Sequence, residues 1–362
     1  LDANTTADDN TAVGYSALKA NTTGTLNTAL GLCALTTNVS SNHNTALGAN
    51  SLRDNTGIQN TAVGSASLMK NSSGENHVAV GYLSLACNTT ASNNTAVGFK
   101  SLHVNTTGHS NVAIGKDSLI ANTDGDGNIA IGVDAMDENT TGGYNTGVGN
   151  ESLHSNTTGC CNVSIGSGSL GQNTTADNNT AVGSLSLSAN TTGACNIAMG
   201  SCALIANTTG SCNHGLGTFS LLANTEGHSN VGVGYQAIKT NTTGDLNVGV
   251  GHQALCKSTT ASNNIAVGAC SLFSNTTAGN NIAVGQAALY TNTTGNDLVA
   301  VGCGALYNNT TAPDNVAVGY QSQYNTTTGH SNVSMGWQSM VSNTTASCNT
   351  AIGFESLKSN TT

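Results

Sequence analysis

NTAVGYSALKANTTGTL (residues 10–26) is followed at once by NTALGLCALTTNVSSNH (residues 27–43), and variants of the same phrase fill the chain. Its glycine recurs at Gly14, Gly31, Gly48, Gly64, Gly81 and onward to Gly336 and Gly353. The spacing is 17 throughout, apart from one 16-residue step between Gly48 and Gly64. A short fixed period over a whole chain predicts a quasi-one-dimensional repeat architecture rather than a globular domain built around a pocket. That shifts the expected function from enzyme toward fibre, adhesin or another surface-presenting scaffold.

With the glycine as position 0, position −4 is Asn in 19 of 21 copies, His77 and Leu298 being the exceptions. Position −3 is Thr, Val or Ile except at His214; −2 is Ala, Gly or Ser; −1 is Val, Leu, Ile or Met. Position +3 is Ala or Ser in every copy, +4 is Leu, Ile or Met except at Gln323, and +7 is usually the Asn of Asn-Thr-Thr-Gly. Asn-Thr-Ala-Val alternates with period 2 and reads as a short strand. The glycine reads as a corner needing positive φ or close backbone approach. Ala/Ser-Leu reads as a second short strand, and Asn-Thr-Thr-Gly as a turn. No stretch keeps a helical period. The expectation is an all-β chain, a parallel β-solenoid (β-roll) of about 21 coils with 17 residues per coil. At about 4.8 Å per coil that is a rod of roughly 100 Å. The residues at −1 and +4 are expected to line the interior, the Asn columns to form amide ladders, and the small residues to leave a flat outer surface.

Charged residues are 7% and aromatic residues 4% of the chain, too few for a thick core or an ion-paired surface, so stability must come from a narrow apolar stripe and backbone pairing. Eight Lys and Arg against a net charge of −10 argue against nucleic-acid binding, and no apolar run is long enough to span a membrane. The sequence is expected to form one continuous array over residues 1–362, uncapped at both ends, as a segment of a longer fibre.

The phrase Asn-Thr-Ala-Val-Gly-Tyr-Ser-Ala-Leu at residues 10–18, with Asn21-Thr22-Thr23-Gly24, resembles repeats of bacterial and phage tail-fibre-like proteins. More distantly, Asn111-Val112-Ala113-Ile114-Gly115 resembles the head repeat of trimeric autotransporter adhesins, from which this chain departs by its longer period. The resemblance implies a parallel β-roll, often trimeric, exposed on a cell or virion and used for attachment.

Four groups of residues are candidate sites. The turns carry Asn-x-Ser/Thr sequons at Asn4, Asn21, Asn38, Asn71, Asn88, Asn105, Asn139, Asn156, Asn173, Asn190, Asn207, Asn241, Asn275, Asn292, Asn309, Asn325, Asn343 and Asn360, which in a secreted eukaryotic protein would be glycan acceptors. Asn and Thr are equally good turn and ladder residues. Asp117, Asp134 and Glu151 fall at +2 in consecutive coils, where stacked carboxylates would call for a cation or for Lys100 in the same column. Ca2+ at this column is the one cofactor suggested, and Asp124-Gly125-Asp126-Gly127-Asn128 nearby resembles part of a calcium loop. Tyr320, Trp337 and Phe354 fall at +1 in consecutive coils and could stack on sugar rings or on one another. Cys195 and Cys212 share a column in adjacent coils and are a candidate disulfide. No His, Ser and Asp converge on one coil face, so catalysis is not expected. Gly166-Ser167-Gly168-Ser169-Leu170-Gly171 matches a dinucleotide fingerprint only formally, without the helix that motif needs.

The function expected from these residues is a structural component of an extracellular, cell-surface or virion-surface fibre, displaying polar, glycosylated turns, with an adhesive role open. Its partners would be copies of itself, by end-to-end stacking or as a trimer, and surface glycans. The alternatives are an ice-binding solenoid and a glycan-binding adhesin.

Overall fold

The computed structural model describes residues 2–361, which are all-β and contain no helix. The chain divides into two compact units, residues 1–179 and 180–362. The first carries β1 (Thr11–Val13) to β10 (Val163–Ile165) and the second β11 (Thr180–Val182) to β21 (Thr350–Ile352). Both are parallel β-solenoids built from the same coil. Each strand is the three residues −3 to −1, and within each unit successive strands pair in parallel and in register, as in Thr11↔Thr28, Ala12↔Ala29 and Val13↔Leu30. The 16-residue step leaves this register intact, with Thr45 opposite Thr61. The missing residue is taken up in the turn, where the Asn55 amide closes onto the Gly57 carbonyl two residues on instead of three.

Outside the strands the backbone also bonds mainly to the neighbouring coil. Leu18 N–H donates to the Ala34 carbonyl, Ala20 to Thr36 and Thr22 to Val39, while Cys33 donates back to Tyr15 and His43 to Thr25. The expected second strand is absent. The Ala/Ser-Leu segment is a turn, because the +4 residue is left-handed, with φ 47° at Leu18 and 50° at Leu102. Positions +2 and +12 are left-handed as well, as at Cys33 (φ 55°) and His43 (φ 60°). A left-handed residue reverses the chain sharply, which lets so short a coil close. This conformation also explains the composition of +4. Leu, unbranched at Cβ, tolerates it better than Val or Ile, and Ile238 is the one β-branched residue in the column.

The interior reverses one expectation. The residue at −1 faces outward and the small residue at −2 faces inward: Ala29, Ala46 and Ala62 are fully buried, whereas Leu30 and Leu47 are exposed. The apolar interior of each coil is little more than Ala at −2, Ala or Ser at +3, and Leu at +4, each buried Leu contributing about 1.5–3 kcal/mol. The fit is tight at two positions where +4 is not Leu. Where Met136 replaces Leu at +4, Gly147 stands at the next −2, and a Cβ there would lie 2.9 Å from the Met136 Cε. Ile238 is matched in the same way by Gly249, at 2.7 Å.

The corner glycine is required by both conformation and space. Gly251 has φ +137°, and a Cβ on it would sit 2.6 Å from the carbonyl oxygen of Gly268 in the next coil. Gly251→Ala is expected to lower the free energy of urea unfolding by more than about 3 kcal/mol. Gly171→Ala, where the nearest atom to an added Cβ is 3.3 Å away, is expected to change it by less than about 1 kcal/mol.

Candidate functional site

Most of the polar chemistry lies inside the coil. Most repeats bury two Asn side chains, and both bond to groups of neighbouring coils. At +7 the amide Nδ2 donates to the carbonyl three residues on and to the Oδ1 of the preceding +7 Asn. Asn88 donates to Asn71 at 2.7 Å, Asn139 to Asn122 at 2.9 Å and Asn156 to Asn139 at 2.8 Å. At −4 the Oδ1 accepts the backbone N–H of the following −4 residue, as Asn27 does from Asn44 at 3.0 Å, while Nδ2 donates to the turn carbonyl of the next coil, as to Ser41 at 2.8 Å. The +8 Thr adds a third row: Thr157 Oγ1 donates to the Thr174 carbonyl and Thr208 to Thr225, both at 3.1 Å.

These ladders decide the sequons. Asn21, Asn38, Asn71, Asn88, Asn105, Asn139, Asn156, Asn173, Asn190, Asn207, Asn241, Asn275, Asn292, Asn309 and Asn343 are all 0% exposed. A sugar on Nδ2 would displace the bonds that close the turn, so the folded coil has no place for a glycan at these fifteen, and the expectation of glycan acceptors is corrected there. Asn4, Asn325 and Asn360 are half-buried. Asn325 stands at +6 and accepts from Asn308 at 3.1 Å, while Thr326 fills the buried +7 place.

Among the described residues the +7 ladder leaves three Oδ1 atoms without a partner. Asn38 Oδ1 lacks a partner where the short coil begins, Asn241 Oδ1 where Ser258 follows, and Asn309 Oδ1 where Thr326 follows. The −4 ladder contains a substitute. His77 Nδ1 accepts the Asn94 N–H at 3.2 Å, as Oδ1 would, and Nε2 reaches the Ala91 carbonyl at 2.7 Å, as Nδ2 would. Both roles require the neutral ring with its proton on Nε2. Burial pushes the His77 pKa down from 6.5 to about 4, against the bond to the Ala91 carbonyl, while the Asn94 N–H, donating into Nδ1, favours the neutral ring.

The other candidates are placed as follows. Asp117 and Asp134 stack as expected, but their cation is Lys116, at 2.8 Å and 3.7 Å, whose own pKa is raised by Asp117 first. Lys100 instead lies over the Phe99 ring, 5.3 Å from its centroid. Among the described residues no three His, Cys, Asp or Glu side chains, including Glu151, gather in a way that could hold a metal ion. In the segment resembling a calcium loop, Asp126 Oδ1 accepts the His109 N–H at 2.6 Å. Cys195 and Cys212 are both exposed free thiols, so the candidate disulfide is not formed. One acid–base pair went unnoticed in the sequence: His154 Nδ1 lies 2.5 Å from Asp137, whose carboxyl is pushed up by burial against the opposing effect of His154. No nucleophile completes it among the contacts of the described residues.

Tyr320, Trp337 and Phe354 do stack, with centroids 6.0 Å and 5.0 Å apart and planes 15° and 8° from parallel. Both faces of Trp337 are therefore covered by protein, which leaves only its edge for a ligand, while Phe354 is 72% exposed. A longer ladder at +5 was missed: Phe273, Tyr290, Tyr307 and Tyr324 stack at 5.1, 5.1 and 4.9 Å, with Lys257 over Phe273 at 4.9 Å. Burial, then the neighbouring Tyr307 and Tyr320, raises the Tyr324 pKa. The signal was present as four aromatic residues 17 apart. No family model and no curated protein matches this chain.

Two measurements test the ladders. Ser258→Asn gives Asn241 Oδ1 a donor and Asn275 Nδ2 an acceptor, and should stabilise the chain by about 1–2 kcal/mol in urea titration. For His77 the folded pKa lies below the unfolded one, so the unfolded chain binds more protons between about pH 6.5 and 4 and stability falls as pH falls through that window. The loss should reach about 3 kcal/mol. It should be absent in His77→Asn, measured as the difference between the two chains at each pH.

Proposed function

We propose that this chain is a structural stacking scaffold, a component of a fibre displayed outside a cell or on a virion surface. The observation that carries this reading is the direction of its hydrogen bonds. The buried Asn side chains and most turn amides are satisfied by the coil before or after their own. A body held this way is stiff along the stacking direction and extends by adding identical coils. The turns then display what is left over, the exposed +9 hydroxyls of residues such as Thr23, Thr107 and Thr158. No helix among the described residues is long and apolar enough to cross a membrane. Glycan binding is the weaker alternative, because the flat ring faces it would use at Trp337 are already occupied.

A second reading, ice binding, gains from one specific observation. The Ala and Ser columns are interior, and the flat outward face of the first unit carries Thr11, Thr28, Thr45 and Thr61 in register beside Val13, Leu30, Leu47 and Val63. Regular methyl and hydroxyl groups on an uncharged sheet could order water.

Negative-stain electron microscopy of the purified chain should show linear assemblies that lengthen with protein concentration. Discrete, non-associating particles at every concentration would count against the scaffold reading. Thermal hysteresis with ice shaping, lost in Thr28→Lys/Thr45→Lys, would move the function to the second reading.

A further inference from the structure

The chain has eight Tyr residues, and three of them stand one repeat apart at +5: Tyr290, Tyr307 and Tyr324. Their backbones are tied directly along the stack, because Thr291 N–H donates to the Tyr307 carbonyl at 3.1 Å and Asn308 N–H to the Tyr324 carbonyl at 3.0 Å. The rings follow. Tyr290 and Tyr307 lie 5.1 Å apart and 7° from parallel, Tyr307 and Tyr324 4.9 Å apart and 11° from parallel. Among the described residues these are the only two stacks of Tyr on Tyr, since Tyr82 and Tyr320 stack on Phe99 and Trp337. The run of phenols stops at Phe273 on one side and at Val341 on the other. All three rings are half-buried, so each keeps a route to solvent.

We propose that the stack of Tyr290, Tyr307 and Tyr324 is a site of oxidative cross-linking, at which a one-electron oxidant joins adjacent rings as dityrosine. This goes beyond the scaffold reading, which needs no covalent bond between coils. Each of two neighbouring phenols gives up one electron to the oxidant and its hydroxyl proton to water, leaving two phenoxyl radicals. Their unpaired electrons pair as a carbon–carbon bond between ring positions ortho to the hydroxyls. Each bonded carbon then releases its hydrogen as a proton and each oxygen takes one up, which restores both aromatic rings. Per cross-link, two electrons and two protons leave the protein and two equivalents of oxidant are reduced.

The geometry favours coupling here over coupling elsewhere in the chain. Coupling needs two radicals to meet, and at this site the second phenol is already held beside the first, which makes the step intramolecular. Torsion about χ2 is broad for Tyr, so facing rings can tilt until their ortho carbons meet while the backbone bonds stay in place. Tyr307 has a Tyr on either face and an ortho carbon for each, so it is the shared member of both junctions. Each cross-link ties residues 17 apart and so closes one coil covalently onto the next.

The test uses the full-length chain at low concentration, with photoexcited tris(bipyridine)ruthenium(II) and persulfate as the one-electron oxidant. The expected product keeps the single-chain mass of 36.0 kDa, less two hydrogens per cross-link, and shows dityrosine fluorescence. Cleavage before Asp297 and Asp314 puts the three Tyr residues on separate peptides, so a product joined through residues 297–313 locates the bond at Tyr307. Tyr307→Phe leaves Tyr290 and Tyr324 two coils, about 10 Å, apart and should lower the intrachain yield at least about tenfold. Phe273 shows that the column accepts a phenyl ring, so this variant should keep the parent's far-ultraviolet circular dichroism. Tyr82→Phe should couple like the parent. No cross-link, coupling only between chains, a Tyr307→Phe yield equal to the parent's, or an equal yield from chain unfolded in urea would each overturn the inference. None of these outcomes alters linear growth seen by microscopy, so the inference and the scaffold reading fail separately.

Discussion

A buried Asn side chain that must be satisfied by the coils before and after its own is the constraint on which this structure depends. Most coils enclose two Asn side chains at 0% exposure, and an unpaired primary amide in such a place costs about 1–3 kcal/mol. The partner at the right distance is the same residue one coil away, so every coil must repeat the position of its Asn relative to its strand. That requirement holds the period. It also explains why the single short coil leaves a mark in the ladder, at Asn38 Oδ1, although strand register passes through it undisturbed.

The ladders also account for a composition that otherwise reads as disorder-prone. Asn, Thr, Ser and Gly are poor at building a core, yet here Asn fills the interior, Thr bonds along the turn and Gly lets adjacent coils approach. His77 shows that geometry and donor–acceptor pattern matter more than residue identity, since an imidazole fixed as one tautomer performs both tasks of the amide. Leu298 shows the limit of the substitution. Its backbone N–H donates to Asn281 Oδ1, but its side chain has no acceptor to offer Asn315.

The period, the parallel in-register strands, the corner glycine and the Asn ladders were legible in the sequence, because each is a statement about columns and columns are visible at a spacing of 17. What faces inward was not legible. In a three-residue strand the alternation Thr-Ala-Val fits either orientation, and hydrophobicity favoured putting Val inside. The coil is too narrow for that: with Leu18 or Leu102 turned inward by a left-handed backbone, only Ala, Gly or Ser fits opposite. The sequons misled for a related reason. Asn-Thr-Thr marks a surface turn in most chains, but here the Asn points into the coil and only the third residue remains outside. The aromatic ladder from Phe273 to Tyr324 is readable in the sequence as four aromatic residues 17 apart, in a column that is otherwise mixed.

The most direct measurement is hydrogen exchange of the Asn side-chain amides, followed by nuclear magnetic resonance on chain labelled with 15N at Asn. If the ladders hold the coils together, the Nδ2 protons of residues such as Asn105, Asn122 and Asn139 should be protected as strongly as the backbone amides of the neighbouring strands, with Asn275, beside the Ser258 interruption, exchanging faster. Side-chain amides that exchange freely while the strand amides stay protected would contradict a coil held by its interior Asn residues, and would leave strand pairing alone to maintain the stack.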